Sequence, residues 1–308
     1  MELPNALKKW IWLAVPAVAV IELGLHFKQV NSVVPESDWK AAKAEVEKRA
    51  KPEDLVAFAP QWVDPIGREY FGNQIATMER EAYPDVSRFP RAIEVSIRGE
   101  HLADLAGWRE TDHTSIGGLR ITTFENPSPV VLKDDLLRHL GKPDMHVSLV
   151  DQNGEHECGF GRFGVQTGNL GFGPAVPSLR YQCGGGAFVG ISIMADLDYR
   201  PRRCFYAPAQ GPNATVKLRF DSIAFGKVLH GHHGIYVEAE RDGKGAPVAI
   251  AFRSGDKTLG KLVHRDGEGW KSFELDTSEL TGKTAELVAE ITSSSRDRRM
   301  YCFEADTR

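Results

Sequence analysis

No cysteine occurs in the first 157 residues, and the four that follow, Cys158, Cys183, Cys204 and Cys302, form no Cys-x-x-Cys pair. That spacing lacks the usual zinc and thiol-redox signatures. Nor is there a basic tract able to neutralise phosphates in series: 38 Lys and Arg stand against 42 Asp and Glu, a net charge of −4 spread along the chain. Nucleic acid is therefore not an expected partner. None of the glycine-rich stretches at 159–164, 168–173 and 184–186 is followed by Gly-Lys-Ser/Thr, and the chain has no Gly-x-Ser-x-Gly elbow and no His-Glu-x-x-His run. No common catalytic signature fixes a reaction, so the reading leans away from an enzyme, and no cofactor is expected.

Long apolar runs are equally scarce, and the one present decides the expected address. Lys8 and Lys9 precede Trp10 to Phe27, an 18-residue stretch interrupted only by Glu22 and His26 near its end. As a helix it measures about 27 Å, slightly short of the roughly 30 Å hydrocarbon core. This predicts a transmembrane signal-anchor over residues 10–27, a cytoplasmic 1–9, a stalk over 28–36, and the rest outside. Glu22 and His26 fall in the last two turns, where headgroups and water solvate them. Ala17-Val18-Ala19 has the small-x-small form of a cleavage site, so a cleaved signal peptide is the alternative. An even cysteine number confined to the C-terminal half suggests bridges made in an oxidising compartment. Three pairings are possible. Cys158 with Cys183 and Cys204 with Cys302 is favoured, the second tying the start of a predicted sandwich to its last strand; buried free thiols are the alternative.

Residues 37–140 read as a small α/β layer domain. Trp39, Ala42, Val46 and Ala50 recur at helix spacing from Ser37, and Pro52 stops the pattern. Leu55 to Ala59 is a compact apolar run, and Asp64-Pro65 has the form of an N-cap and first helical proline, opening a helix through Arg68 and Tyr70. Ile93, Val95 and Ile97 alternate with Glu94, Ser96 and Arg98, and Leu119 to Phe124 is another strand candidate. Residues 141–308 instead carry nine short strand candidates: 147–150, 179–182, 188–193, 216–220, 235–238, 248–252, 270–275, 287–291 and 300–303. They predict a β-sandwich. Val216, Leu218 and Phe220 share one face and Lys217 and Arg219 the other, as when a sheet buries one side.

These residues also carry two resemblances. Asp38-Trp39-Lys40-Ala41-Ala42, Pro52-Glu53-Asp54-Leu55-Val56, Ala59-Pro60 and Arg91-Ala92-Ile93-Glu94-Val95-Ser96 resemble the extracytoplasmic C-terminal domain of dolichyl-phosphate-mannose protein mannosyltransferase-type glycosyltransferases, over residues 36–126. The many membrane helices of that family and its catalytic acidic pair are absent, so the resemblance implies a related setting rather than the transferase activity. From Cys204 to the end, Gly269-Trp270, Phe273, Leu275 and the terminal cysteine strand resemble a galactose-binding-like jelly roll. Members of that family commonly bind glycans at loops on one edge, and others are purely structural. Together they imply a bacterial inner-membrane protein, single-pass, with its bulk periplasmic or extracellular.

Among chemically suggestive residues, Trp62, Asp64 and Arg68 are the expected ligand-binding set. They follow the first strand of an α/β layer, where Trp62 can stack on a sugar ring and Arg68 can pair with an anion. Their structural reading is an N-cap beside a core tryptophan. His230-Gly231-His232-His233, with Glu238 or Glu240 downstream, offers metal-ligand types, but on a strand His233 points away from the other two, and no metal site is expected. The glycines of 159–164, 168–173 and 184–186 read as tight turns. His113 with Asp112 and His264 with Asp266 offer acid-base residues without a supporting motif.

The expected function is a membrane-anchored binding or accessory component of envelope glycan or lipid-linked-sugar metabolism, with a glycan ligand and a membrane-enzyme partner. The alternatives are a glycan-acting hydrolase or glycosyltransferase-related enzyme, and a structural scaffold.

Overall fold

A computed structural model describes residues 14–30, 33–71, 85–164 and 173–308. Chain contacts define two compact units, one formed by Met1–Ile75 with Ala92–Glu125 and the other by Ala76–Arg91 with Asn126–Arg308. The N-terminal apolar segment is helical over Ala14–Val30 (α1). It runs three residues beyond Phe27, and the first four residues of the expected span, 10–13, lie outside the described residues. Among the described residues no helix is long and apolar enough to cross a membrane.

In the first unit, α2 (Glu36–Arg49) carries Glu36 and Asp38 in its first turn and Lys48 and Arg49 in its last, complementing the helix dipole. It buries Trp39, Ala42 and Val46. After β1 (Leu55–Ala59) the chain forms α3 (Asp64–Phe71), and the sheet is completed by β2 (Arg91–Ile97), β3 (Arg109–Ile116) and β4 (Leu119–Glu125) in the order β1-β2-β4-β3, with β1 and β2 parallel. Trp39 stacks on Tyr70 at 5.6 Å and meets the edge of Phe71, which itself sits edge-on to Phe58 of β1. Gly67 is required at that junction, because a Cβ there would collide with the Phe58 ring. β2 departs from half-exposed alternation: Glu94 and Ser96 are as buried as their apolar neighbours. Glu94 is paid for by His101 Nδ1 at 2.7 Å and the Leu102 amide at 2.8 Å.

The second unit is a β-sandwich. One sheet contains β5 (Asp134–Asp135), β8 (Gly159–Arg162), β9 (Leu179–Gln182), β10 (Phe188–Ala195), β11 (Pro201–Tyr206), β13 (Val228–Ile235), β16 (Lys271–Asp276) and β18 (Tyr301–Thr307), in the order β16-β13-β18-β11-β10-β9-β8 with β5 also on β18. The other contains β6 (Met145–Asp151), β7 (Gly154–Glu157), β12 (Thr215–Ala224), β14 (Val248–Ser254), β15 (Lys257–His264) and β17 (Thr284–Ser293), in the order β15-β14-β17-β12-β6-β7. Val216, Leu218 and Phe220, with Val248, Ile250 and Phe252, point into the core, where Phe205, Phe273 and Phe303 of the facing sheet meet them. Each fully buried aromatic or aliphatic side chain there contributes roughly 1.5–3 kcal/mol.

Three expectations change. The candidate strand 235–238 is instead the end of β13, whose ladder lies seven residues earlier, followed by a short helix α4 (Val237–Arg241). Gly231 and Gly234 hide that strand from propensity, yet both are needed: a Cβ on Gly231 would strike the Glu304 carbonyl and one on Gly234 the Trp270 ring. Gly159 to Arg162, expected as a turn, pairs with β9 as β8; residues 165–172, which include most of the second glycine group, lie outside the described residues, and Gly184–Gly186 is a turn with Gly185 and Gly186 at positive φ. Asp64 is not an N-cap: its backbone is already helical (φ −49°, ψ −46°) because a 3-10 turn over Gln61–Val63 runs directly into α3. The cysteines pair as Cys158–Cys183 and Cys204–Cys302.

Candidate functional site

Trp62 is exposed on the 3-10 turn before α3, whereas Asp64 and Arg68 form an ion pair with each other one helical turn apart. The guanidinium expected to meet an anionic ligand faces a carboxylate of its own helix. The histidine run splits as strand geometry dictates. His230 and His232 lie on the outer face of the sheet, directly across from Asp306 and Glu304 on β18, and His233 points into the core beside His264. His264 and Asp266 do not act together: His264 meets Glu240 at 3.0 Å, and Asp266 takes Arg299. His113 pairs with Glu110 at the exposed edge of β3. Among the described residues no group of three or more His, Cys, Asp or Glu is placed to hold a metal ion.

The most perturbed groups lie under the surface. His232 Nδ1 is 2.7 Å from Glu304 Oε1, and its ring stacks parallel to Trp270. Burial, reinforced by Asp306, pushes the Glu304 carboxyl up to about 8, and burial, reinforced by His230, pulls the His232 imidazole down to about 3. Both shifts describe a neutral acid hydrogen-bonded to a neutral imidazole. Glu304 is only 3 % exposed, and the pair lies against Trp270 through the His232 ring.

An accessible constellation lies directly beside it, where four connecting segments meet. The β10–β11 hairpin turns at Asp196–Arg200, and Asp196 pins that turn by accepting from the amides of Asp198 and Arg200 and from Arg202 Nε at 2.7 Å. Tyr199, at the tip, is held at φ +59° and is 55 % exposed. That left-handed conformation is uncommon for a bulky residue and is sustained only where its surroundings over-determine it. Arg241 of α4 supplies the constraint: its guanidinium lies 4.5 Å over the Tyr199 ring, donating to Tyr199 Oη at 2.8 Å and to the Leu197 carbonyl at 3.3 Å. Beneath the tip, Tyr236 and Trp270 pack against the cluster of Phe188, Met194, Tyr206 and the Cys204–Cys302 bridge.

The other two segments fix this platform from below. Glu240 accepts from the Gly269 amide at 2.7 Å. Arg298, itself at φ +52°, joins Asp242 and the Glu238 carbonyl. Arg299, 2 % exposed, donates to Asp266 at 2.6 Å and to the carbonyls of Ala246 and Asp297. An exposed planar ring braced by a cation suits a ligand that has an apolar face. Tyr199, Tyr236 and Arg241 have no sequence spacing that announces them. The one local signal is the turn-forming Asp196-Leu197-Asp198 before an otherwise unexplained tyrosine, and nothing links it to an arginine 42 positions away.

No protein-family model and no curated protein matches the chain, so the likeness of residues 36–126 to mannosyltransferases has no counterpart there. Among solved structures, its neighbours include carbohydrate-binding modules, the glycoside hydrolase domain of Streptococcus pneumoniae Endo-D, a cyclase from Fischerella and a secreted serine protease of Vibrio cholerae, all at TM-scores of 0.28 or below. One of the modules is CBM27-1 of Caldicellulosiruptor saccharolyticus in complex with mannohexaose (17 % identity, 38 % of this chain and 80 % of that one, TM-score 0.27). Others are the C-terminal CBM6 of LamC from Zobellia galactanivorans (10 %, 39 % and 88 %, TM-score 0.24) and CBM51-2 of Clostridium perfringens ZmpB in complex with GlcNAc (9 %, 65 % and 40 %, TM-score 0.28). Likenesses this distant transfer no ligand residue.

Proposed function

We propose that this chain is a membrane-anchored, extracytoplasmic glycan-binding accessory protein of bacterial cell-envelope glycan or lipid-linked-sugar metabolism. The observation that carries the reading is Tyr199, an exposed aromatic ring held in a strained backbone conformation on a pinned hairpin and braced from beneath by Arg241. A sugar ring laid on its free face buries apolar C–H groups while the hydroxyls reach the polar groups around it. The anchor is supported by α1, whose Val15, Val18, Val20, Ile21, Leu23, Leu25 and Phe27 are all exposed and need an apolar environment. The extracytoplasmic setting is supported by the two disulfides. Full-length protein in detergent, applied to an array of envelope polysaccharides and oligosaccharides, is expected to bind a subset of them. Tyr199→Ala should weaken that binding about tenfold, as loss of an aromatic stacking contact does. Absence of binding to every glycan, or binding untouched by Tyr199→Ala, would sink the reading.

A further inference from the structure

The hairpin that carries Tyr199 is an arm rather than an integral part of the sheet. β10 pairs with β9 only through Phe188–Gly190, and β11 pairs with β18 only through Phe205 and Tyr206. Among the described residues, the ladder from Ile191 to Cys204 joins these two strands to each other, with isolated bridge residues at Gly173 and Val176 in the segment whose Ala175 carbonyl meets Ser192. The arm then crosses the outer face of the sheet: Met194 joins the cluster that holds Trp270 and Tyr236, Ser192 Oγ donates to the Ala175 carbonyl, and the tip reaches Arg241.

The bend that sends it there is located at one residue. Tyr206 lies opposite Cys302 and Phe205 opposite Phe303, so a straight continuation would set Cys204 opposite Glu304. Cys204 is instead bonded back to Cys302, with the two Cα atoms 5.7 Å apart. Diagonal neighbours in a regular antiparallel pair are about 7–8 Å apart. The crosslink therefore sits at the point where backbone pairing to the sheet stops and the arm leaves it. Both cysteines are completely buried.

The geometry points to Cys204 and Cys302 as positioning residues for the binding site: their bond fixes the exit angle of the 191–204 arm and so keeps Tyr199 on Arg241, and glycan affinity depends on it. This rests on the binding reading above, but its structural half is measurable without a ligand. Cys158–Cys183, which joins residues outside the arm, is the internal control. In full-length protein, Cys204→Ala with Cys302→Ala should speed amide hydrogen exchange across residues 191–204 at least tenfold and weaken glycan binding at least tenfold. Cys158→Ala with Cys183→Ala should leave both readouts within about threefold of the parent. Arg241→Gln, with both disulfides intact, removes the tip contact and should leave exchange in the arm within the same limit, a result that does not depend on the cysteine variant folding. Normal exchange in the arm without the 204–302 bond, equal effects of the two cysteine pairs, or release of the arm by Arg241→Gln would each overturn the proposal. A protein that binds no glycan but frees its arm on loss of this bond would defeat the binding reading and leave the positioning role standing.

Discussion

Tyr199 separates stability from function in a way few residues do. Glycine occupies positive φ without steric cost, whereas tyrosine at φ +59° carries strain on the order of 1–3 kcal/mol. Part of that is offset by the Arg241 contact, worth about 0.5–1 kcal/mol at an exposed site. Tyr199→Gly should therefore leave the thermal midpoint unchanged or higher while glycan binding falls about tenfold; a lowered midpoint would show that the ring is structural. The buried pair beneath it makes a pH prediction. The Glu304 carboxyl ordinarily titrates at 4.5 and is raised by burial to about 8, so between those values unfolding releases a proton and stability falls as pH rises. His232 and His233, both lowered by burial from 6.5 to about 3, bind protons only when unfolded in that window, so stability rises from about pH 3 to 6.5. Two histidines outweigh one carboxyl up to 6.5, and above it only Glu304 acts, joined by His139, whose hydrogen bond to Asp134 raises it. Unfolding free energy should peak near pH 6.5 and decline toward 8, and Glu304→Gln should flatten that decline in pH-resolved denaturant titrations.

At the scale of elements, the strands with alternating branched and aromatic residues were legible and those built on glycine were not. Val216–Phe220 and Val248–Phe252 appear where their alternation places them, because one-sided burial imposes a period of two. β13 begins seven residues before the strand that propensity predicts, because His230, Gly231 and Gly234 have low strand propensity, and only the neighbours of those glycines explain them. Gly231→Ala should cost on the order of 1–3 kcal/mol by overpacking, since the new methyl would meet the backbone of β18. Equilibrium unfolding measures it, and a neutral substitution would mean that β13 and β18 do not lie in this register. The helices of the first unit were legible from apolar spacing and proline, and α3 starts at Asp64 as expected, but Asp64 does not cap it, because the preceding 3-10 turn runs directly into the helix.

For the whole molecule, the membrane attachment proposed above rests on the exposed apolar side chains of α1. Full-length protein should stay with the membrane fraction through high-salt and alkaline washing, and deletion of residues 1–36 should release it; extraction of the intact chain by salt alone would exclude insertion. The expectation of a sandwich and the separation of His233 from His230 and His232 were determined by sequence, because each follows from local periodicity; of the three possible cysteine pairings sequence only favoured the one found, Cys158–Cys183 with Cys204–Cys302. The binding surface was decided only by tertiary structure. Tyr199 and Arg241 become a site because a hairpin leaves its sheet at Cys204 and folds back over Trp270, bringing together residues 42 positions apart. Sequence carries the period of each strand, but the angle at which one strand leaves another is set by contacts distant along the chain.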